Sequence, residues 1–86
     1  MSDTPMKRDQ IKDLMNAILA RQGKAPITDE AASLRDAGFR SLDFSELALR
    51  VERAVGRELN FDAALMRSIS TAADVLNFFE KACQNA

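Results

Sequence analysis

The stretch Asp36-Ala37-Gly38-Phe39-Arg40-Ser41-Leu42-Asp43-Phe44-Ser45-Glu46-Leu47 joins a glycine-containing loop to the start of a helix and places a serine at the junction. A hydroxyl at a helix N-terminus is exposed, and it lies close to backbone N–H groups that no intrahelical carbonyl accepts. The partial positive charge of those groups favours an anionic substituent, which makes Ser41 a good address for a phosphate-linked group. Serine is also a favoured N-cap residue, stabilising a helix by about 1 kcal/mol over alanine. Taken alone, the position is better explained by a simple cap.

Downstream of the junction, Leu42, Leu47, Val51 and Val55 give this second helix a broad apolar face, with Phe44 and Leu49 at its flanks and Gly56 as its stop. Leu42, Leu47, Val51 and Val55 are expected in the core, Leu42 anchoring the start of the helix. Upstream, Gly23 to Arg40 contains Pro26, Gly38 and only scattered apolar residues, so it reads as a long loop. Loops of that length in a small domain are functional or pinned to the core, and Ile27, Leu34 and Phe39 are the expected pins. Before the loop, Ile11, Leu14, Met15, Ile18 and Leu19 recur at i, i+3, i+4, i+7 and i+8. That is one face of a first helix from about Met6 to Gln22, preceded by Pro5 and closed by Gly23 and Pro26.

Beyond Gly56, Phe61 to Met66 can form a short third helix capped by Asn60 or Asp62. Thr71 followed three residues later by Asp74 has the form of a capping box. Ala72, Val75, Leu76, Phe79 and Cys83 then repeat at helical spacing, giving a final helix to about Ala82. No run alternates with period two and no hairpin dipeptide appears. The predicted fold class is therefore all-α: a small four-helix bundle of three main helices and one short one, with a long loop between helices 1 and 2. Residues 1–5 are expected to be flexible and 84–86 frayed.

The 86 residues make a single domain, 1–86, too short for two cores. With 47% hydrophobic and 29% charged residues the chain has an ordinary globular composition. Its net charge of −1, from 12 bases and 13 acids, provides no broad field to hold a nucleic acid. Histidine is absent, which removes the commonest general base and metal ligand together. The lone Cys83 reads as a buried small hydrophobe and fits a reducing cytoplasm, where we expect the chain to be. Neither a signal peptide nor a membrane span is expected. On the first helix, Lys7, Arg8, Lys12 and Arg21 read as a solvated basic face, and Met66, Phe61, Phe78 and Phe79 as packing.

The junction resembles the acyl carrier protein family, whose signature is a Ser-Leu pair after a loop glycine and a Glu-Leu pair shortly beyond; here these are Ser41-Leu42 and Glu46-Leu47. The likeness extends through the order of helices and loop to Ile69-Ser70-Thr71, which is similar to the family's lead-in to its last helix. It implies an acyl-carrier-like bundle in which Ser41 receives the 4′-phosphopantetheine arm of coenzyme A from a phosphopantetheinyl transferase. The arm's thiol would carry acyl groups as thioesters to acyl-loading, elongating or acyl-transferring enzymes of a fatty acid, lipid or polyketide pathway. No catalytic residues are needed, since a tether keeps the cargo at high local concentration beside the docked enzyme. Carriers of this type usually work as monomers.

Two departures from the family pattern bear on its partners. Arg40 stands where the family usually has an acid before the modified serine, and Ser41 to Asn60 holds Asp43, Glu46, Glu52 and Glu58 against Arg50, Arg53 and Arg57, a net charge of only −1 where the family is strongly acidic. Complementary charge chiefly sets docking rate and discrimination, so a specialised carrier with a dedicated set of partners is expected. Arg40, Leu42, Asp43, Glu46, Arg50 and Arg53 form its predicted docking face. The alternatives are an aminoacyl or peptidyl carrier, and a helical protein-interaction adaptor that is never modified, with Ser41 only a cap.

Overall fold

Residues 6–56, 58–59 and 67–85 are described by the computed structural model of the chain. Among them lie four helices, α1 (Arg8–Arg21), α2 (Leu34–Ala37), α3 (Ser41–Val55) and α4 (Ala72–Asn85), and no strand. The all-α class and the three main helices agree with the sequence reading. The short helix expected over 61–66, its caps Asn60 and Asp62, the packing of Phe61 and Met66, and the flexibility expected of residues 1–5 fall outside the described residues. The last helix, expected to about Ala82, continues to Asn85.

On α1 the residues that disappear from solvent are Ile11, Met15, Ile18 and Leu19, the stripe that the 3.6-residue period selects. This stripe packs on α3 and α4. From α4 the core receives Ala72, Val75, Leu76, Phe79 and Cys83, and from α3 Phe44, Leu47 and Val51. Leu42 departs from expectation: it is 83% exposed, and Phe44 takes the core position instead. Both phases of the pattern contain Leu47 and Val51, and successive helical residues turn by about 100°, so burying Phe44 with them points Leu42 the other way.

The connection from α1 to α3 is ordered by tertiary bonds and contains one helical turn, α2, which its lack of periodicity concealed. Ile27 and Phe39 are buried pins and Leu34 is half-buried against the core. Asn16 on α1 holds the loop through both its amide atoms: its Oδ1 accepts from the Ile27 N–H (2.7 Å) and its Nδ2 donates to the Ile27 carbonyl (3.3 Å). Further along, Ser33 bridges antiparallel to Thr71, and Leu34 N–H donates to the Ser70 carbonyl at 3.0 Å. The loop carbonyls of Ala32 and Glu30 in turn accept from Ala72 and Ala73 N–H (3.0 and 2.8 Å), satisfying donors that the first turn of α4 leaves open.

The start of α4 is the capping box that its sequence suggests: Asp74 N–H donates to Thr71 Oγ1 (3.3 Å) and Thr71 N–H to Asp74 Oδ2 (3.0 Å). Arg8, expected on a solvated face, is instead half-buried where three elements meet. Its guanidinium donates to Glu30 through Nε (3.0 Å) and Nη2 (2.6 Å), and through Nη1 to Glu80 (2.6 Å) and Asn77 (2.7 Å). A planar fork of donors suits such a three-way junction, which a lysine could not fill in the same way.

These contacts give stability an acid-side slope. The Arg8 guanidinium holds the Glu30 carboxyl below the usual carboxylate range, and the backbone N–H groups of Ser70 and Thr71 do the same for Asp74. A carboxyl whose folded-state pKa is depressed stabilises the fold above its unfolded pKa, and that contribution is lost as pH falls through the lower folded value. Denaturant midpoints are therefore expected to fall as pH drops below about 4. Asp74→Asn should flatten part of that fall; an unchanged slope in the variant would remove Asp74 from the account.

Candidate functional site

The junction is built from the end of α2 and the start of α3. Gly38 closes α2 in the left-handed conformation (φ 81°), its N–H donating to the Arg35 carbonyl at 3.2 Å. A side chain is strained there by about 1–2 kcal/mol. A Cβ would also come within 2.9 Å of the Lys24 side chain, whose Nζ donates to the Gly38 carbonyl at 2.6 Å. Glycine thus lets Lys24 reach across and hold the chain immediately before Phe39, which is buried and turns the backbone toward α3.

Arg40 is the N-cap of α3, extended at φ −100°, and Ser41 is the first residue with helical geometry. The N–H of Arg40 donates to Asp43 Oδ2 at 2.8 Å, the carboxylate half of a capping box, while Gln22 Nε2 at the end of α1 donates to Asp43 Oδ1 at 2.6 Å. Asp43 therefore fixes where α3 begins and ties that point to α1. It is only 7% exposed, which takes it off the predicted docking face. The missed signal is local: an acid three residues after an N-cap reaches back to the cap's N–H. Asp43→Ala is expected to cost about 1–3 kcal/mol by leaving the Gln22 amide and the Arg40 N–H without their charged acceptor. Urea denaturation measures it, and a neutral result would show that the bonds do not hold the helix start.

With capping assigned to Arg40 and Asp43, Ser41 stands exposed, and among the described residues no hydrogen bond engages its hydroxyl. It lies on the edge of an open cleft of about 570 Å³ between α2 and α3. Leu34, Phe39, Phe44 and Ile69 supply apolar walls, Gly38 adds bare backbone, and Arg35 and Arg40 stand at the rim. Of these lining residues Arg35 carries no local pattern that marks it, and Ile69 stands out only in the lead-in to the last helix, not as part of a site; the Ser33 to Thr71 bridge brings their segments together.

The other predicted docking residues divide into two sets. Arg40, Leu42 and Arg53 are exposed. Glu46 and Arg50 are half-buried and engaged with each other (Arg50 Nη2 to Glu46 Oε2, 2.8 Å), and Glu46 also pairs with Arg21 on α1. Cys83 is buried in the core and is not part of the site. Among the described residues no helix is long and apolar enough to cross a membrane, and no group of three or more metal-ligating side chains is assembled. No protein-family model matches the chain, and no solved structure matches it.

Proposed function

We propose that the chain is an acyl carrier protein in which Ser41 is the attachment point of a 4′-phosphopantetheine arm derived from coenzyme A. One observation carries the reading: Ser41 occupies the first turn of a well-formed helix without capping it, its hydroxyl exposed and unbonded among the described residues at the edge of an apolar-walled cleft. A serine kept only as an end-stop would stand at the N-cap and use its oxygen on the N–H two or three residues on; here the N-cap position belongs to Arg40, whose own N–H donates to Asp43.

The residues present fit such a group. The open N–H groups of the first turn of α3 and the adjacent Arg40 favour a phosphodiester on Ser41, and Leu34, Phe39, Phe44 and Ile69 offer an apolar wall to an acyl cargo. When bound, the arm supplies a terminal thiol that carries acyl groups as thioesters to partner enzymes. The chain's own part is to present that position on a rigid helix start, held by Lys24, Asp43 and Gln22, with no catalytic side chain required.

Intact mass measurement after co-expression with a broad-specificity phosphopantetheinyl transferase tests the reading. The expected increment is one phosphopantetheine group, mapped by fragmentation to Ser41 and not to the neighbouring exposed Ser45. No increment with any transferase, or an increment on Ser45, would overturn it.

A further inference from the structure

We infer that the outward stripe of α3, together with the rim of the Ser41 cleft, docks a partner protein whose surface presents carboxylates around an apolar patch. This rests on the carrier reading, the partner being an enzyme that handles the cargo. The apolar part is well defined. Among the described residues, Leu42 (83% exposed) and Leu49 (57% exposed) are the exposed large hydrophobics, both on α3 and seven residues apart, and so lie on one line along the helix with the small Ser45 between them.

The charge around that line differs from what the sequence suggests. Every acid on α3 is engaged by the protein itself: Asp43 accepts from Gln22 and the Arg40 N–H, Glu46 from Arg21 and Arg50, and Glu52 from the Leu59 N–H at 2.9 Å. Glu58 lies past Gly56, beyond the end of the helix. By contrast Arg53 at the far end of the stripe, Arg40 at its start and Arg35 across the cleft are exposed, and none makes an ion pair among the described residues. No carboxylate lines the cleft among those residues either. A helix that is close to neutral by composition therefore turns a cationic, leucine-centred face outward.

Such a face steers carboxylate-bearing surfaces in and repels basic ones, and complementarity of this kind acts mainly on encounter rate and choice of partner. The test uses two amphipathic helical peptides with the same leucine face, one flanked by glutamates and the other by lysines, each titrated into the full-length chain and followed by amide chemical shifts. The glutamate peptide should bind about tenfold or more tightly than the lysine peptide, weaken with salt, and shift amides along Ser41 to Arg53 and at Arg35. Arg40→Glu with Arg53→Glu should reverse the preference.

Equal binding of the two peptides, a lysine preference, no binding, or shifts centred elsewhere would overturn the inference. So would equally tight binding to phosphatidylglycerol vesicles, because the face would then answer to any polyanion. The readout does not depend on loading and is repeated in Ser41→Ala. A glutamate preference without any mass increment would sink the carrier reading and leave the acid-selective face standing; loading of Ser41 without the preference would do the reverse.

Discussion

With Ser41 replaced by alanine, the chain is expected to fold as before and never to acquire the phosphopantetheine increment. Both halves of that outcome follow from where α3 begins. Ser41 is the first helical residue and not the cap, and among the described residues its oxygen makes no hydrogen bond that the substitution would break. Alanine is a somewhat better helix former than serine. The change in unfolding free energy should therefore stay within about 0.5 kcal/mol of zero, as for surface positions that touch nothing critical. A serine acting as cap would lose about 1 kcal/mol on the same substitution, so a clear loss of stability would contradict the assignment of the cap to Arg40 and Asp43. Ser45→Ala is the matched control, one turn further along the same helix, and should load normally. If Ser41→Ala kept full cellular function with no arm attached, the chain would be an adaptor and not a carrier.

What could be read from the sequence and what could not are separated by the range of the contacts involved. The stripe Ile11, Met15, Ile18 and Leu19 and the Thr71 to Asp74 box are set by spacings within one or two turns, and both occur as read. The first connection is different. Asn16 to Ile27, Lys24 to Gly38 and Ser33 to Thr71 join residues 11, 14 and 38 positions apart, and no periodicity carries such pairings. As a result the cleft beside Ser41 stayed hidden, although Ile27 and Phe39 could be named as pins; α2, a single turn capped locally by Ser33 and Gly38, is too short for a period to reveal. The charge on the surface of α3 was harder still, because charge counted along a helix is blind to neutralisation from other elements. Arg21 on α1 engages Glu46, and Gln22 engages Asp43. The sequence balance of α3 and the charge on its outward face consequently differ.

The largest stability effect is expected at Phe79, which sits at 0% exposure on α4, deep in the core. Its ring meets Phe44 at 5.2 Å between centroids and Phe78 at 5.2 Å edge-on, so α4 and α3 share one aromatic cluster. Phe79→Ala removes the transfer free energy of the ring and leaves a cavity, together about 3–5 kcal/mol. Domains of this size have roughly 5–15 kcal/mol in all, and each kcal/mol moves the midpoint by about 4–8 °C. The melting temperature should therefore fall by tens of degrees, and a loss below about 1 kcal/mol would mean that the ring does not fill the core. Phe78, only half-buried, should cost less on the same truncation. Because Phe44 also walls the cleft beside Ser41, the two ends of this cluster answer to different assays. Phe79→Leu, which keeps most of the volume and costs about 1–1.5 kcal/mol, leaves a folded chain whose Ser41 should still be modified by a transferase. Its cleft, with one side of Phe44 no longer supported, should hold an acyl cargo less tightly, which the rate of thioester hydrolysis by solvent would report as an increase over wild type. Unaltered hydrolysis in Phe79→Leu would mean that the cargo does not lie against Phe44.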